Sequence, residues 1–453
     1  MRCYICWMMF GVTMTTMCLR AFISMSIVLM LPPDGVVKLD GDNYLDWPKN
    51  AKGLVLMMPM AGAFIFLPFY MRFLADRRSP KIIIAAVILI QSLLSLISPI
   101  VAKFSFPAFL VIRFMIGMAE GCVVSSVNTI AARWFPASER TFKVAAYTCG
   151  FQISFGVATY FVSLLSTIGL PWEYAFYIFG AIGIAFLVPF LIFVSDSPAE
   201  NKFISKEEEN FLFGVIQQAT PREKKTPLST PWKSMLTSSV IYAHVFNMLT
   251  FCFTVGLMSS FLPLYFDTVL KIAIASSGWY TMLPFVVQIV SKLIIGVIAD
   301  MLIEKGVIDT TTSAKICQSI SSFGSAAALV ALSFVSSGIP LIIVLFFYGL
   351  TFSAGVCGFF TSMTLIAPRF TGSVSAQIQI VGMLASLMPM ITYEILNTFD
   401  VAHKFIYLFI FAAVILAASG VVYLIWGSAE EQPWAKTSSD VPLTIEDAEK
   451  TIE

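Results

Sequence analysis

The segments RFLADRRSPK (residues 72–81) and GVIADMLIEK (residues 296–305) decide the architecture. Each sets an apolar residue, an alanine and an aspartate in one register: Leu74-Ala75-Asp76 in the first, Ile298-Ala299-Asp300 in the second. A three-residue match is weak alone, because small and acidic residues are common at helix ends. Its weight comes from position. Each copy closes the second apolar run of its own half of the chain, and each run is long enough to cross a bilayer as a helix, which takes about 20 residues.

Working outward, apolar runs fall near 4–31, 52–75, 81–102, 106–132, 142–168, 172–195, 239–266, 277–303, 313–336, 339–364, 371–397 and 404–427, twelve in all. The 453 residues are 58% hydrophobic and only 12% charged, with a mean hydropathy of +0.85. Soluble domains carry about 25% charge, so a polytopic membrane protein is expected. All spans should be helical, since lipid offers no water to open backbone groups. The first run is about twice the length of a signal peptide's apolar core and Arg20 interrupts it, which favours a retained span. Eight cysteines sit in apolar segments and none forms a CxxC pair with a partnering histidine, so they are expected as small buried hydrophobes.

The long polar interval 196–238 divides six spans from six, giving an N-terminal half (1–195), a linker (196–238), a C-terminal half (239–427) and a tail (428–453). Within the linker, Ser205 with Glu208 three residues on forms a capping box that predicts a short helix, followed by turns in PREKKTPLSTP. With the N-terminus cytoplasmic, nineteen of the 28 Lys and Arg fall on the cytoplasmic side and six on the other. This asymmetry predicts both termini in the cytoplasm. Two parallel six-span repeats about an axis along the membrane normal describe the major facilitator fold.

Arg20, Arg113 and Lys292 are the cations inside spans, and Glu120 joins them in FLVIRFMIGMAEGCVVSSV (residues 109–127). A charge at mid-membrane costs about 2.5–3.5 kcal/mol even on lenient scales, so it lines a cavity or pairs. Arg113 and Glu120 return to nearly one helix face but stand about 10.5 Å apart along the axis, too far for a simple ion pair. The expectation is two stations on one cavity wall. Arginines at Arg20 and Arg113 suit an anion, which a guanidinium binds through two parallel hydrogen bonds. A buried Glu120 suits proton coupling. Lys292 lies near the cytoplasmic end of its span and is expected to snorkel. Asp267 and Glu394 are expected near the opposite end, solvated. His244 and His403, the only histidines, are expected to be structural. The absence of a GxxxxGK[ST] loop argues against an ATP-driven pump, and two distant histidines argue against a hydrolase.

RFLADRRSPK resembles the superfamily signature GxLADRxGRK at Asp76, Arg77 and Lys81, with Arg72 in place of its first glycine and Ser79-Pro80 in place of Gly-Arg. That resemblance implies a gating loop, with Asp76, Arg77 and Asp300 as its candidates. More narrowly, CLRAFISMSIVLM, RFMIGMAEG, ARWFPASER, SPAENKFISKEE, PWKSMLTSS, IAPRF and EEQPWA resemble solute carrier family 17, a group of anion transporters. The match runs through nearly the whole chain. It implies that Arg20 and Arg113 serve substrate binding and Glu120 proton or charge coupling. The chain departs from the vesicular glutamate transporters of that family. Leu56 replaces a histidine, Phe251 an arginine and Pro68-Phe69-Tyr70 a Pro-Gly-Gly, so a less polar cavity is expected.

The expected function is secondary active transport of a small organic or inorganic anion, coupled to H⁺, Na⁺ or membrane potential, in a plasma or organelle membrane. Its expected partners are the anion, the coupling ion and lipid. A monomer is expected, without nucleic acid, cofactor, metal or enzymatic activity. The competing expectation is a receptor or scaffold that kept the fold and binds ligand without flux.

Overall fold

The computed structural model describes residues 1–31, 45, 47–48, 51–216, 230–268, 270, 274–335, 338–398 and 404–435. Twelve of its helices are long and apolar enough to cross a membrane. Spans one to six are Arg2–Ile27, Gly53–Phe73, Pro80–Phe104, Phe106–Trp134, Ala137–Leu165 and Glu173–Phe193. Spans seven to twelve are Ser239–Ser259, Met282–Glu304, Thr310–Leu332, Ile339–Phe360, Pro368–Tyr393 and Phe405–Trp426. The chain is an integral multi-pass membrane protein. The side chains of Asp267 and Glu394, all of His403, residues 217–229 of the linker and residues 436–453 of the tail lie outside what is described.

Local sequence sets the helix starts. Ser79 and Ser105 each stand before a proline-bearing first turn and accept from Ile82 N (3.2 Å) and Ala108 N (3.5 Å). Asp309 does the same for Thr312 N at 3.0 Å. The linker helix Lys206–Ile216 begins on the Ser205 hydroxyl, 3.3 Å from Glu208 N. The other half of that capping box is diverted, because the Glu208 carboxylate accepts from Arg2 Nε at 3.2 Å rather than turning back.

Spans two and four meet backbone to backbone. A Cβ on Gly62 would overlap the Phe114 carbonyl, and one on Gly117 would overlap the Pro59 carbonyl. Gly121, one turn on from Gly117, rests against Ala63. This is the small-residue spacing by which membrane helices approach closely where apolar burial cannot drive them together.

Two corresponding spans are interrupted, span four past its middle and span ten in its last turn. Span four breaks at Cys122, between helices Phe106–Gly121 and Val123–Trp134. Span ten passes from an α-helix into a π-turn over Val356–Phe360, with Gly358 at φ −84° and ψ −106°. Paired interruptions in matching places of two repeats mark the binding region of secondary transporters.

Candidate functional site

The two aspartates of the repeat hold the halves together. Asp76 accepts from Gly372 N (3.0 Å) and Ser373 N (3.1 Å), in the first turn of the helix that forms span eleven. Asp300 accepts from Thr141 N (3.2 Å) and Phe142 N (2.8 Å), in the first turn of span five's helix. Each carboxylate thus satisfies the orphan amides at a helix N-terminus in the opposite half, where negative charge is favoured. Burial pushes the Asp76 carboxyl above its ordinary range, while the backbone amides of Ser373 and Gly372 and the charge of Arg133 pull it back. The matching alanines Ala75 and Ala299 are buried beside them. Arg77 does not join this latch: it is exposed and makes no hydrogen bond or ion pair among the described residues.

Further bonds between the halves lie on the same side. Ser125 Oγ donates to Gly372 O, Asn128 Nδ2 to Ser375 Oγ and Arg140 to Thr364 O. Among the described residues, every hydrogen bond between halves falls from mid-bundle to the Asp76–Asp300 end. We call this the basic end, for the cations Arg72, Arg77, Arg78, Lys81, Arg133 and Arg140 beside it.

Arg20 and Glu120 meet above this closed region. The Arg20 guanidinium donates to Glu120 Oε1 at 2.6 Å, joining span one to span four just before the break at Cys122. Arg20 is 30% exposed and Glu120 6%, so the cation faces space that its partner does not. The expected second station is elsewhere. Arg113 shares Glu120's helix, but it is fully buried rather than on an open wall. Its Nε, Nη1 and Nη2 have no hydrogen-bond partner. The guanidinium sits instead among the rings of Phe109 (5.0 Å), Phe176 (5.4 Å) and Phe22 (5.9 Å), held by cation–π attraction from spans four, six and one.

Lys292 corrects a second expectation. It does not snorkel; it is fully buried, and its ammonium donates to Gln152 Oε1 (2.8 Å) and Thr148 Oγ1 (3.2 Å) of span five. A signal was present in the sequence: Lys292, Gly296 and Asp300 recur every fourth residue, one face of span eight. Gly296 on that face lies directly against Phe142 and Ala145. The substituted positions behave as apolar groups. Phe251 stacks on Phe352 with ring centroids 4.8 Å apart and leans on Phe359 at 5.5 Å, and Leu56 is exposed. Tyr70 turns inward and bonds Ser126 Oγ at 3.0 Å. His244 is a buried structural group, bridging Val240 O and Ser362 Oγ at 2.8 and 2.9 Å.

The family model of the Major Facilitator Superfamily matches residues 4–390. The chain is similar to an uncharacterized transporter, slc-17.3, of Caenorhabditis elegans, at 27% identity over 94% of this chain and 80% of that one. It is also similar to mouse sodium-dependent phosphate transport protein 3, at 28% identity over 86% of this chain and 81% of that one. The human probable small intestine urate exporter is 26% identical over 86% of this chain and 78% of its own. Among solved structures, the proton:xylose symporter XylE superposes with a TM-score of 0.66 at 15% identity, covering 95% of this chain and 98% of that one. FucP superposes with a TM-score of 0.63 at 12% identity over 91% of this chain and 97% of that one. The paired repeats, the two crossed aspartate latches and these likenesses agree: the chain belongs to the Major Facilitator Superfamily, as a transporter and a divergent relative of solute carrier family 17.

Proposed function

We propose that the chain carries a small anion across its membrane by alternating access, together with a proton, and that Arg20 and Glu120 are the coupled pair. The observation that carries this reading is the 2.6 Å contact between a part-exposed arginine and a buried glutamate. An anion reaching Arg20 competes with Glu120 for the guanidinium. When Glu120 takes up a proton its charge is lost and Arg20 is released to the anion. Proton and anion therefore bind cooperatively, each raising the other's affinity by the same factor. That is the linkage a symporter requires. Arg113, caged and unpaired, supplies positive potential behind the pair in this conformation rather than direct contact. The substrates for which those relatives are named, phosphate and urate, fit the same cationic chemistry.

The basic end is assigned to the cytoplasm by its Lys/Arg excess, with both termini there. The Asp76 and Asp300 latches close that face, and the site opens to the other. Rocking the halves apart at the latches, while closing the far end, carries the pair from one side to the other.

The test is uptake into proteoliposomes of phosphate, urate and a panel of carboxylates, under imposed pH, Na⁺ and voltage gradients. Arg20→Ala removes a charged hydrogen bond to the anion, worth about 1.5–3 kcal/mol, so affinity should fall about 10- to 150-fold. Unchanged uptake of every accepted anion by Arg20→Ala would place the site elsewhere.

A further inference from the structure

We infer that Lys292 is a second anion-binding residue, sequestered in this conformation and uncovered when the halves part at the basic end. This rests on the anion-transport reading above.

Lys292 belongs to span eight of the second half, yet both acceptors of its ammonium, Thr148 Oγ1 and Gln152 Oε1, belong to span five of the first. Both are neutral. Among the described residues no carboxylate lies within ion-pair distance of it, and its close titratable neighbours are thiols: Cys149 of span five, and Cys357 of span ten, whose Sγ lies 3.5 Å from the Lys292 carbonyl. Burying an ammonium against neutral oxygens is costly, and a hydrophobic residue would fill such an interface at less cost. Packing alone is therefore a poor account of the charge.

Its placement supplies a better one. Asp300 lies eight residues along the same helix, about 12 Å nearer the basic end. It holds the first turn of span five, the helix that supplies the acceptors of Lys292. The separation that frees Asp300 from Thr141 and Phe142 must also draw Gln152 and Thr148 from the ammonium. The opening cleft then presents an unpaired cation. The other described cations of the second half's spans, Lys315 and Arg369, lie within the first two turns at the basic end rather than deeper in the span. A bond between the ammonium and an anion, with both partners charged, is stronger than its bonds to neutral oxygens, so an arriving phosphate or carboxylate competes well for Lys292. Gln152, itself part-exposed, separates Lys292 from the open side and acts as the floor that keeps the two cations from being available together.

The experiment uses the full chain in lipid nanodiscs, titrated with radiolabelled inorganic phosphate and with urate. The parent is compared with an unlatched Asp76→Asn/Asp300→Asn protein. In the unlatched protein, Lys292→Met should weaken binding about 10- to 100-fold and Lys292→Arg should stay within a few fold of lysine. Thr148→Val/Gln152→Leu, which frees the ammonium without altering it, should strengthen binding. If Lys292→Met binds as tightly as lysine in a folded unlatched protein, the inference is overturned while the Arg20 reading stands. If Thr148→Val/Gln152→Leu only destabilises the chain and leaves affinity alone, Lys292 is an interface lock. If no background binds either probe, and Arg20→Ala is equally silent, both readings fall together.

Discussion

Arg20, the partner of Glu120, and Arg113 show how one residue type takes different work from its surroundings. Arg20 is part-exposed and paired, whereas Arg113 is buried with all three side-chain nitrogens unpartnered. Replacing an unpaired buried cation by an apolar chain of similar length removes a desolvation cost. Arg113→Met should leave the thermal unfolding midpoint unchanged or raise it, by the equivalent of about 1–4 kcal/mol. The same variant should weaken anion uptake by removing positive potential. A large loss of stability on scanning calorimetry would show that the aromatic cage needs the charge. The positions of all three residues were legible in the sequence, because charges in apolar runs are conspicuous. Their partners were not. The seven-residue spacing of Arg113 and Glu120 excluded a direct pair between them, but which neighbour each side chain turns toward depends on spans one and six. Lys292 was misread for a related reason: depth along a helix suggested snorkelling, whereas the face shared with Gly296 and Asp300 points it at span five.

At the scale of elements, close helix contacts and helix ends do most of the positioning. Gly117 packs onto the backbone of span two at Pro59, three residues before Glu120. Gly117→Leu should force spans two and four apart, at a cost of about 1–3 kcal/mol or more, and displace Glu120 from Arg20. Monodisperse yield and anion affinity should fall together; a variant with wild-type values for both would contradict the packing account. The latches form the second element-scale device. Each aspartate holds two amides, so Asp76→Asn and Asp300→Asn should each weaken the closed state by about 1.5–3 kcal/mol. The two sites lie on different helix pairs, and their effects should add. Spin labels at the exposed positions Arg77 and Lys305 report the outcome as a longer distance in the double variant. An unchanged distance distribution would deny the latches any control of the gate. The Leu-Ala-Asp and Ile-Ala-Asp copies made this device visible in sequence, in two matching places. Its crossed wiring, each half capping the other's helix, was hidden because the amide donors carry no side-chain signature. Arg77 belongs to the resemblance but stands outside the latch in space.

For the whole molecule, twelve spans and their division six and six followed from hydropathy and the linker, since the bilayer leaves few alternatives to long apolar helices. The inter-half bonds run from Gln152 down to Asp300 and Asp76; the spacing of Lys292, Gly296 and Asp300 marks their face of span eight, but not their partners in span five. The central claim is that proton and anion share the Arg20–Glu120 pair, and the pH dependence of anion affinity tests it most directly. Half-saturating concentrations of phosphate, or of whichever panel anion is accepted, would be measured in proteoliposomes across the acid-to-neutral range for the wild type and Glu120→Gln. The wild type should bind more tightly as pH falls, by at most about tenfold per pH unit for one linked proton, and a pH gradient should drive accumulation. Glu120→Gln should lose this dependence, keeping only what the anion's own ionisation causes, and should exchange anions without accumulating them. A wild-type affinity that does not change with pH, or a Glu120→Gln protein that still accumulates anion on a pH gradient, would contradict the account.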